Sequence, residues 1–413
     1  MDQARAARRG RLNGRETAPS RFTAAEIAEI RSEFPALAEL TYLSTNGLGL
    51  LPRRSAQAVA TRLDRLTNGG IAVAFADDEE LAEETRRRVA HLLSCHADEI
   101  AFTRNTSEGI LWVAESLPLA SGDEILVAQG EFPSSVLPWL GRAQRGVVTR
   151  FLAQAQRRIT PAMVAAAWTP RTRLLAISFV QYNSGFRADL AALASVAHRH
   201  GGLLLVDAIQ GLGALRLDAA ATQVDFLTAG TQKWLLGLQG LGIFFCRRER
   251  LAQLEAMHVG PGSLPQDTDP EDPLAPYDCN FVAAARRFEE GSRNYLGLAA
   301  LSESLRFIDE IGPARIEARI RELTDYAVAA AERRGCRVES PRGAGEWSGI
   351  LLFTPPGGRP AKEPDDMRRL MEAMRQRQIA INGREGCLHM GIHFYNTTEE
   401  IDRLMQAVDA VGG

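Results

Sequence analysis

Short apolar runs closed by glycine or a charge alternate along this chain with longer stretches whose apolar positions recur every three or four residues. The runs at 124–128, 174–180, 203–206, 225–229 and 242–246 lack the polar alternation of a strand with one wet face. They read as strands buried on both sides. Helical periodicity covers 55–68, 78–93, 188–200, 298–311 and 314–334, and Thr23 with Glu26 makes a capping-box pattern that opens a helix reaching 34. Strand 174–180, helix 188–200 and strand 203–206 form a βαβ unit, the building block of a parallel sheet. Past 291 the pattern turns to helices with short strands such as 349–353, as in an α+β domain. The expected organisation is a disordered tail at 1–21, a helix at 22–40 packed on the small domain, a large α/β domain at 41–290 and a small domain at 291–413.

Polar residues punctuate the strand ends. Asp207 closes strand 203–206, Gln210 follows three residues later, and Lys233 comes just past strand 225–229. Ligands of α/β sheets sit beyond the carboxyl ends of the strands. Pyridoxal phosphate (PLP) chemistry needs this pair: a lysine to hold the cofactor covalently, and a carboxylate to keep its pyridine nitrogen protonated. Taken alone, each residue also has a plainer reading, as a helix-capping acid or a loop lysine in water. Thr106 and Ser107 precede an apolar helix at 110–116; hydroxyls there offer an anion site and serve equally as ordinary caps. Residues 42–52 break from a strand into a glycine-rich loop holding Thr45 and Asn46. Residues 258–277, rich in Pro, Asp and Gly, read as a mobile loop long enough to cover a site. Gly237, Gly240 and Gly242 lead into a strand and not a helix, so they are no dinucleotide fingerprint.

Composition narrows the classes. A chain of 413 residues accommodates two domains, and its formal net charge of −3 gives no electrostatic case for nucleic acid or an anionic membrane. No apolar run reaches the length of a bilayer span. The five cysteines (Cys95, Cys246, Cys279, Cys336, Cys387) are scattered without a C-x-x-C, which argues for reduced thiols in a cytoplasm and against a zinc site. The first twenty residues carry Arg5, Arg8, Arg9, Arg11 and Arg15 without an apolar core, a basic tail and not a secretory signal.

The set Asp207, Gln210, Gln232, Lys233 and Trp234 joins a closing run from His393 through Phe394, Tyr395, Asn396 and Thr397 to Asp402. From Thr41 onward the chain resembles the class V aminotransferases of the fold-type I PLP enzymes, a family that includes cysteine desulfurases, kynureninase, isopenicillin N epimerase-like proteins and C–S lyases. The resemblance implies an α/β fold with a mainly parallel seven-stranded sheet, a smaller α+β C-terminal domain, PLP on Lys233 and an amino-acid substrate. It also implies a homodimer with shared active sites. Thr106 and Ser107 would cradle the phosphate with Gln232, and Ser292 would reach it from the neighbouring subunit. Phe132 would stack on the pyridine, and Gln210 would bond the 3′-oxygen. Thr45, Asn46, Tyr182, Asn183, Arg293, Tyr295, Arg384 and His389 are the substrate-side candidates, with Tyr182 and Asn183 undecided between themselves.

Three departures qualify the resemblance. Desulfurases carry a proton-handling histidine where this chain has Phe132, which counts against that activity. Many members read Ser-x-His-Lys where this chain has Gly230, Thr231, Gln232 and Lys233. The arginine that usually forks onto the substrate carboxylate is His389 here, leaving the task to Arg384, to His389 or to no clamp. Cys387 lies near the place of the desulfurase thiol but lacks that loop's pattern and reads as structural. The expected activity is C–S cleavage or a related elimination or decarboxylation on a cysteine-derived or unusual amino acid in secondary metabolism such as antibiotic biosynthesis. An aminotransferase or epimerase, and a non-catalytic scaffold, are the alternatives. No metal is expected.

Overall fold

The computed structural model describes residues 21–70, 77–265, 281–356 and 364–412. A seven-stranded sheet is built from β2 (Ile100–Thr103), β3 (Glu124–Ala128), β4 (Val148–Leu152), β5 (Thr172–Ser178), β6 (Leu203–Asp207), β7 (Phe226–Gly230) and β8 (Gly242–Cys246). Their order is β2-β8-β7-β6-β5-β3-β4, and only β8 runs against its neighbours. The short β1 (Thr41–Tyr42) precedes them and pairs in parallel with β11 (Ile379–Ala380). A second sheet of β9 (Arg337–Val338), β10 (Ile350–Thr354), β12 (Asn382–Arg384) and β13 (Cys387–Gly391) is antiparallel, in the order β12-β13-β10-β9.

The strands expected to be buried on both faces are so. Every residue of β3, β7 and β8 is buried, and successive residues divide between two cores: Ile125 and Val127 face one, Leu126 and Ala128 the other. Helix coverage of both faces leaves the carboxyl edge of the sheet as its open side. There the ends of β2, β3, β5, β6 and β7 converge, and the segments following them carry Thr106, Ser107, Phe132, Tyr182, Asn183, Gln210 and Lys233.

Element boundaries moved for identifiable reasons. The helix expected at 110–116 is Thr106–Ser116, because the Asn105 side chain accepts the Glu108 N–H at 3.0 Å and starts it a turn earlier. β5 stops at Ser178, where Phe179 N–H turns to the Asp207 carbonyl (2.8 Å). The capping box forms as read: Glu26 N–H donates to Thr23 Oγ1 (3.2 Å) and Thr23 N–H to Glu26 Oε2 (2.7 Å), opening the helix Ala24–Ser32. Arg31 then reaches the Tyr395 carbonyl (2.7 Å) and Glu400 (3.0 Å), fastening this segment to the C-terminal part of the chain. The tail at 1–20 and most of the loop at 258–277 lie outside the described residues. Among the described residues no helix is long and apolar enough to cross a membrane, and no cluster of His, Cys, Asp and Glu could hold a metal ion.

Candidate active site

Asp207 and Lys233 end up facing one another. Asp207 is 4% exposed at the end of β6, where its carboxylate accepts the Ile209 N–H (3.0 Å) and the Ser135 hydroxyl (3.1 Å). Burial pushes its pKa up, against the pull of those two bonds and of Lys233. Lys233, in the turn after β7, has its ammonium pKa pushed down by burial and further by Arg384, with Asp207 acting the other way. Such a lowered amine pKa favours a nucleophile or base. Its Nζ lies 5.9 Å from the centroid of Phe132, a ring left 45% exposed. An aromatic side chain so exposed beside a half-buried lysine offers a flat apolar face for another ring.

The glycine-rich loop after β1 lies across this lysine. Gly49 N–H donates to the Gln232 carbonyl (2.8 Å), and a Cβ at Gly49 would collide with the Lys233 carbonyl. The close approach therefore requires glycine.

Around the helix start at Thr106, two hydroxyls have structural partners. Gly230 N–H donates to Thr106 Oγ1 (2.8 Å), locking the end of β7 to the helix, and Ser107 Oγ donates to Ser134 Oγ (2.7 Å). The helix N-terminus thus stands beside the turns of Phe132 and Lys233, with its dipole available to an anion. The Gln232 amide makes no hydrogen bond within the described residues. Ser292 is exposed; it lines one shallow cavity with Glu79, Pro261 and Arg286, and another with Arg104 and Glu108 at the helix start.

The substrate-side candidates separate into two groups. Arg384 lies 4.5 Å from the centroid of the Tyr182 ring, which meets Phe132 edge-on at 5.3 Å. His389 in β13 is buried and bonded by the Asn46 amide (3.2 Å); burial, then the charges of Arg384 and Lys233, lower its pKa to about 3. It is neutral in ordinary conditions and cannot supply the charge of a lost arginine. Asn183 is bonded through Nδ2 to the Gly130 carbonyl (3.3 Å). These residues gather at one mouth. Three others do not. The Thr45 hydroxyl is fully buried and shared with Tyr395 OH (2.7 Å), so it is spent inside the fold. The Arg293 guanidinium is committed to Glu289 (2.5 Å) and Glu79 (2.8 Å), and Tyr295 lies under Arg62. The ion pairs account for the placement of Arg293, and the guanidinium over its ring for that of Tyr295.

Gln210 is held at both ends: its Nε2 donates to the Asn46 carbonyl (3.0 Å), and its Oε1 accepts from Trp234 Nε1 (2.9 Å). One N–H remains for a ligand. Trp234 thereby acts as the clamp that aims Gln210. The sequence reading missed Ser135, which bonds Asp207, and Glu131, buried beside Phe132; neither stands out from an ordinary helix start and strand end. Cys387 is fully buried in β13 with its thiol against Thr354 (3.6 Å), in keeping with a structural role.

The residues fit PLP. The open Phe132 ring beside the Lys233 amine, the buried Asp207, an anion-ready helix start, and the buried but unpartnered Oδ1 atoms of Asn46 and Asn183 match a ring bearing nitrogen, hydroxyl and phosphate.

Comparison with known proteins agrees. Residues 70–404 match the family model described as aminotransferase class-V. A probable cysteine desulfurase of Methanothermobacter thermautotrophicus is 27% identical over 93% of this chain and 98% of its own. The isopenicillin N epimerase of Streptomyces clavuligerus is 31% identical over 90% of this chain and 94% of its own. Among solved structures, a C-DES variant with glycine covalently linked to its PLP cofactor superposes with a TM-score of 0.82 at 24% identity, covering 92% of this chain and 99% of that one. At that identity the likeness is one of fold. The argument from Phe132 against a desulfurase finds no support among relatives that include one so named.

Proposed function

The chain belongs to the class V aminotransferase family and takes PLP as its cofactor, and we propose that it acts at Cα and Cβ of an amino-acid substrate, most directly by C–S cleavage or a related elimination. The observation that carries the active-site assignment is the facing pair Asp207–Lys233 beneath the open Phe132 ring. PLP, when bound, supplies an electron sink for charge released at the substrate Cα.

The chain's own residues do the rest. Lys233 would supply the amine that holds the cofactor, and its lowered pKa suits the same amine to moving the Cα proton. Asp207, dry and anchored by Ser135 and Ile209, holds the proton of the ring nitrogen. Thr106, Ser107 and Gln232 would hold the phosphate. Ser292 adds its hydroxyl from a second subunit, which explains its exposure in a single chain. The apolar side chains exposed near this edge, Leu111 at 38% and Leu137 at 61%, provide the matching dimer surface. Arg384 receives the substrate carboxylate in place of the residue that is His389 here, with Tyr182 beneath it.

Phe132 stacks but transfers no proton, so proton movements at the substrate fall to Lys233. An epimerase is the second reading, favoured by the relative at 31% identity. The two separate in one assay. Cofactor-loaded protein is mixed with S-substituted cysteines and with single enantiomers of amino acids, in water and in deuterium oxide. Keto acid with released thiol upholds the elimination. Cα exchange with inversion and no keto acid replaces it with epimerisation. A wild-type protein forming no borohydride-sensitive band with added PLP would sink the enzyme reading altogether.

A further inference from the structure

Glu131 immediately precedes the exposed Phe132 ring, yet its own side chain is only 5% exposed. Three donors converge on its carboxylate: the Ser178 N–H (2.8 Å), the Ser178 hydroxyl and the Gln181 amide (2.5 Å). Ser178 ends β5 and is the register partner of Asp207 in β6. On the far side of Phe132, Ser135 N–H donates to the Phe132 carbonyl (2.8 Å) while its hydroxyl donates to Asp207. The turn from Glu131 to Ser135 is therefore pinned twice to the strand ends around Asp207, with the stacking ring between the pins. A carboxylate in this position has no part in the chemistry described so far, and burying it is costly unless it does something for the fold or the site.

We propose that Glu131 is a positioning residue for the cofactor: it ties the turn presenting Phe132 to the end of β5 beside Asp207, and so sets the stacking ring and the ring-nitrogen carboxylate relative to each other. This rests on the roles of Phe132 and Asp207 given above. The arrangement also couples two acids. Asp207 is the charged group facing Glu131, Ser178 and Gln181 are neutral, and Lys233 is the cation facing Asp207. Burial first, and Asp207 in addition, raise the Glu131 pKa to about 7 against its three hydrogen bonds. Ionisation of Glu131 near neutrality strengthens the hold of Asp207 on a proton, which reaches the cofactor as a pH-dependent change.

The test uses the full chain titrated with PLP and followed by its visible band. Glu131→Ala strands three donors and frees the turn, and is expected to weaken PLP binding about tenfold or more. Glu131→Gln keeps the shape and an acceptor, and is expected to bind PLP within about threefold of wild type while losing a spectral transition near pH 7 that wild type shows. If Glu131→Ala does not fold, Ser178→Ala removes the hydroxyl donor alone and leaves the Ser178 N–H and the Gln181 amide on the carboxylate, and an intermediate loss of affinity is expected. Wild-type affinity in the Ala variants, or retention of the transition in Glu131→Gln, overturns the proposal. Should wild type itself form no lysine-dependent band, the reading of the site fails and takes this proposal with it. Should wild type form the band and the Glu131 variants not differ from it, this proposal alone fails.

Discussion

Replacing Arg384 by alanine removes the cation assigned to the substrate carboxylate. Its guanidinium lies over the Tyr182 ring at 4.5 Å, and no carboxylate among the described residues pairs with it. His389, with a pKa near 3, contributes no charge above mildly acidic pH. On the proposed assignment, the substrate carboxylate is left to Arg384 among the described residues at this mouth. A hydrogen bond to a charged group contributes about 1.5–3 kcal/mol, so losing a forked pair costs about 3 kcal/mol after partial replacement by water. That corresponds to about a hundredfold in kcat/KM. The fall should appear mainly in KM, because the contact is made in ground and transition states alike. Arg384→Lys keeps the charge but not the fork and should recover about tenfold. Steady-state kinetics on whichever amino acid the protein turns over, with amine analogues lacking the carboxylate as controls, gives the answer. Equal kcat/KM for wild type and Arg384→Ala, with a large loss in His389→Asn, would refute the assignment and return the clamp to β13.

Three further expectations concern the lysine, pH and stability. Lys233→Ala should abolish the borohydride-sensitive band and lower turnover by about a thousandfold or more, since tether and base are one residue; a persistent band would place the tether elsewhere. Glu131 has a folded-state pKa near 7 against a usual value of 4.5. The folded state therefore binds its proton more tightly, and the stabilisation present below pH 4.5 is lost as pH rises through 7. The loss amounts to about 3 kcal/mol at 1.36 kcal/mol per unit. Urea midpoints of the cofactor-free protein across that range should fall in wild type and stay level in Glu131→Gln, and parallel curves would refute the shift. Glu289→Ala takes the buried partner from Arg86, which is 1% exposed and bonded to Glu289 at 2.7 Å, leaving it the partly exposed Glu83, and should cost about 3–5 kcal/mol in urea unfolding. A loss under about 1 kcal/mol would show that Glu83 and the Ile100 carbonyl, both already bonded to Arg86, suffice to hold it.

Much of the site was legible in advance because its chemistry is written at strand ends. Asp207 closes one apolar run and Lys233 lies in the turn just past another, and a parallel sheet necessarily brings the ends of such runs to one edge. Periodicity carried β3 and β8 to their observed bounds. It missed the true start of the helix at Thr106, because Asn105 capping is a matter of one hydrogen bond and not of pattern.

Other assignments needed tertiary contacts. Thr45 and Asn46 are adjacent polar residues in one loop, indistinguishable by type. Folding buries the Thr45 hydroxyl against Tyr395 and turns the Asn46 amide to His389, which lie 350 and 343 residues away. Gly391 permits that approach, since a Cβ there would meet the Asn46 amide. Arg293 looked available beside Ser292 until Glu289 and Glu79 came to it. Arg384 and His389 compete for one role on paper, and burial, which strips the charge from His389, favours Arg384. The sequence by itself marked the buried strands and the strand ends where polar residues gather, because these follow from local apolar pattern, and its resemblance to a known family pointed to the cofactor and to Asp207 and Lys233. Tertiary structure alone decided which polar side chains remain free to meet a substrate, because that depends on partners hundreds of residues distant and on the water each group loses.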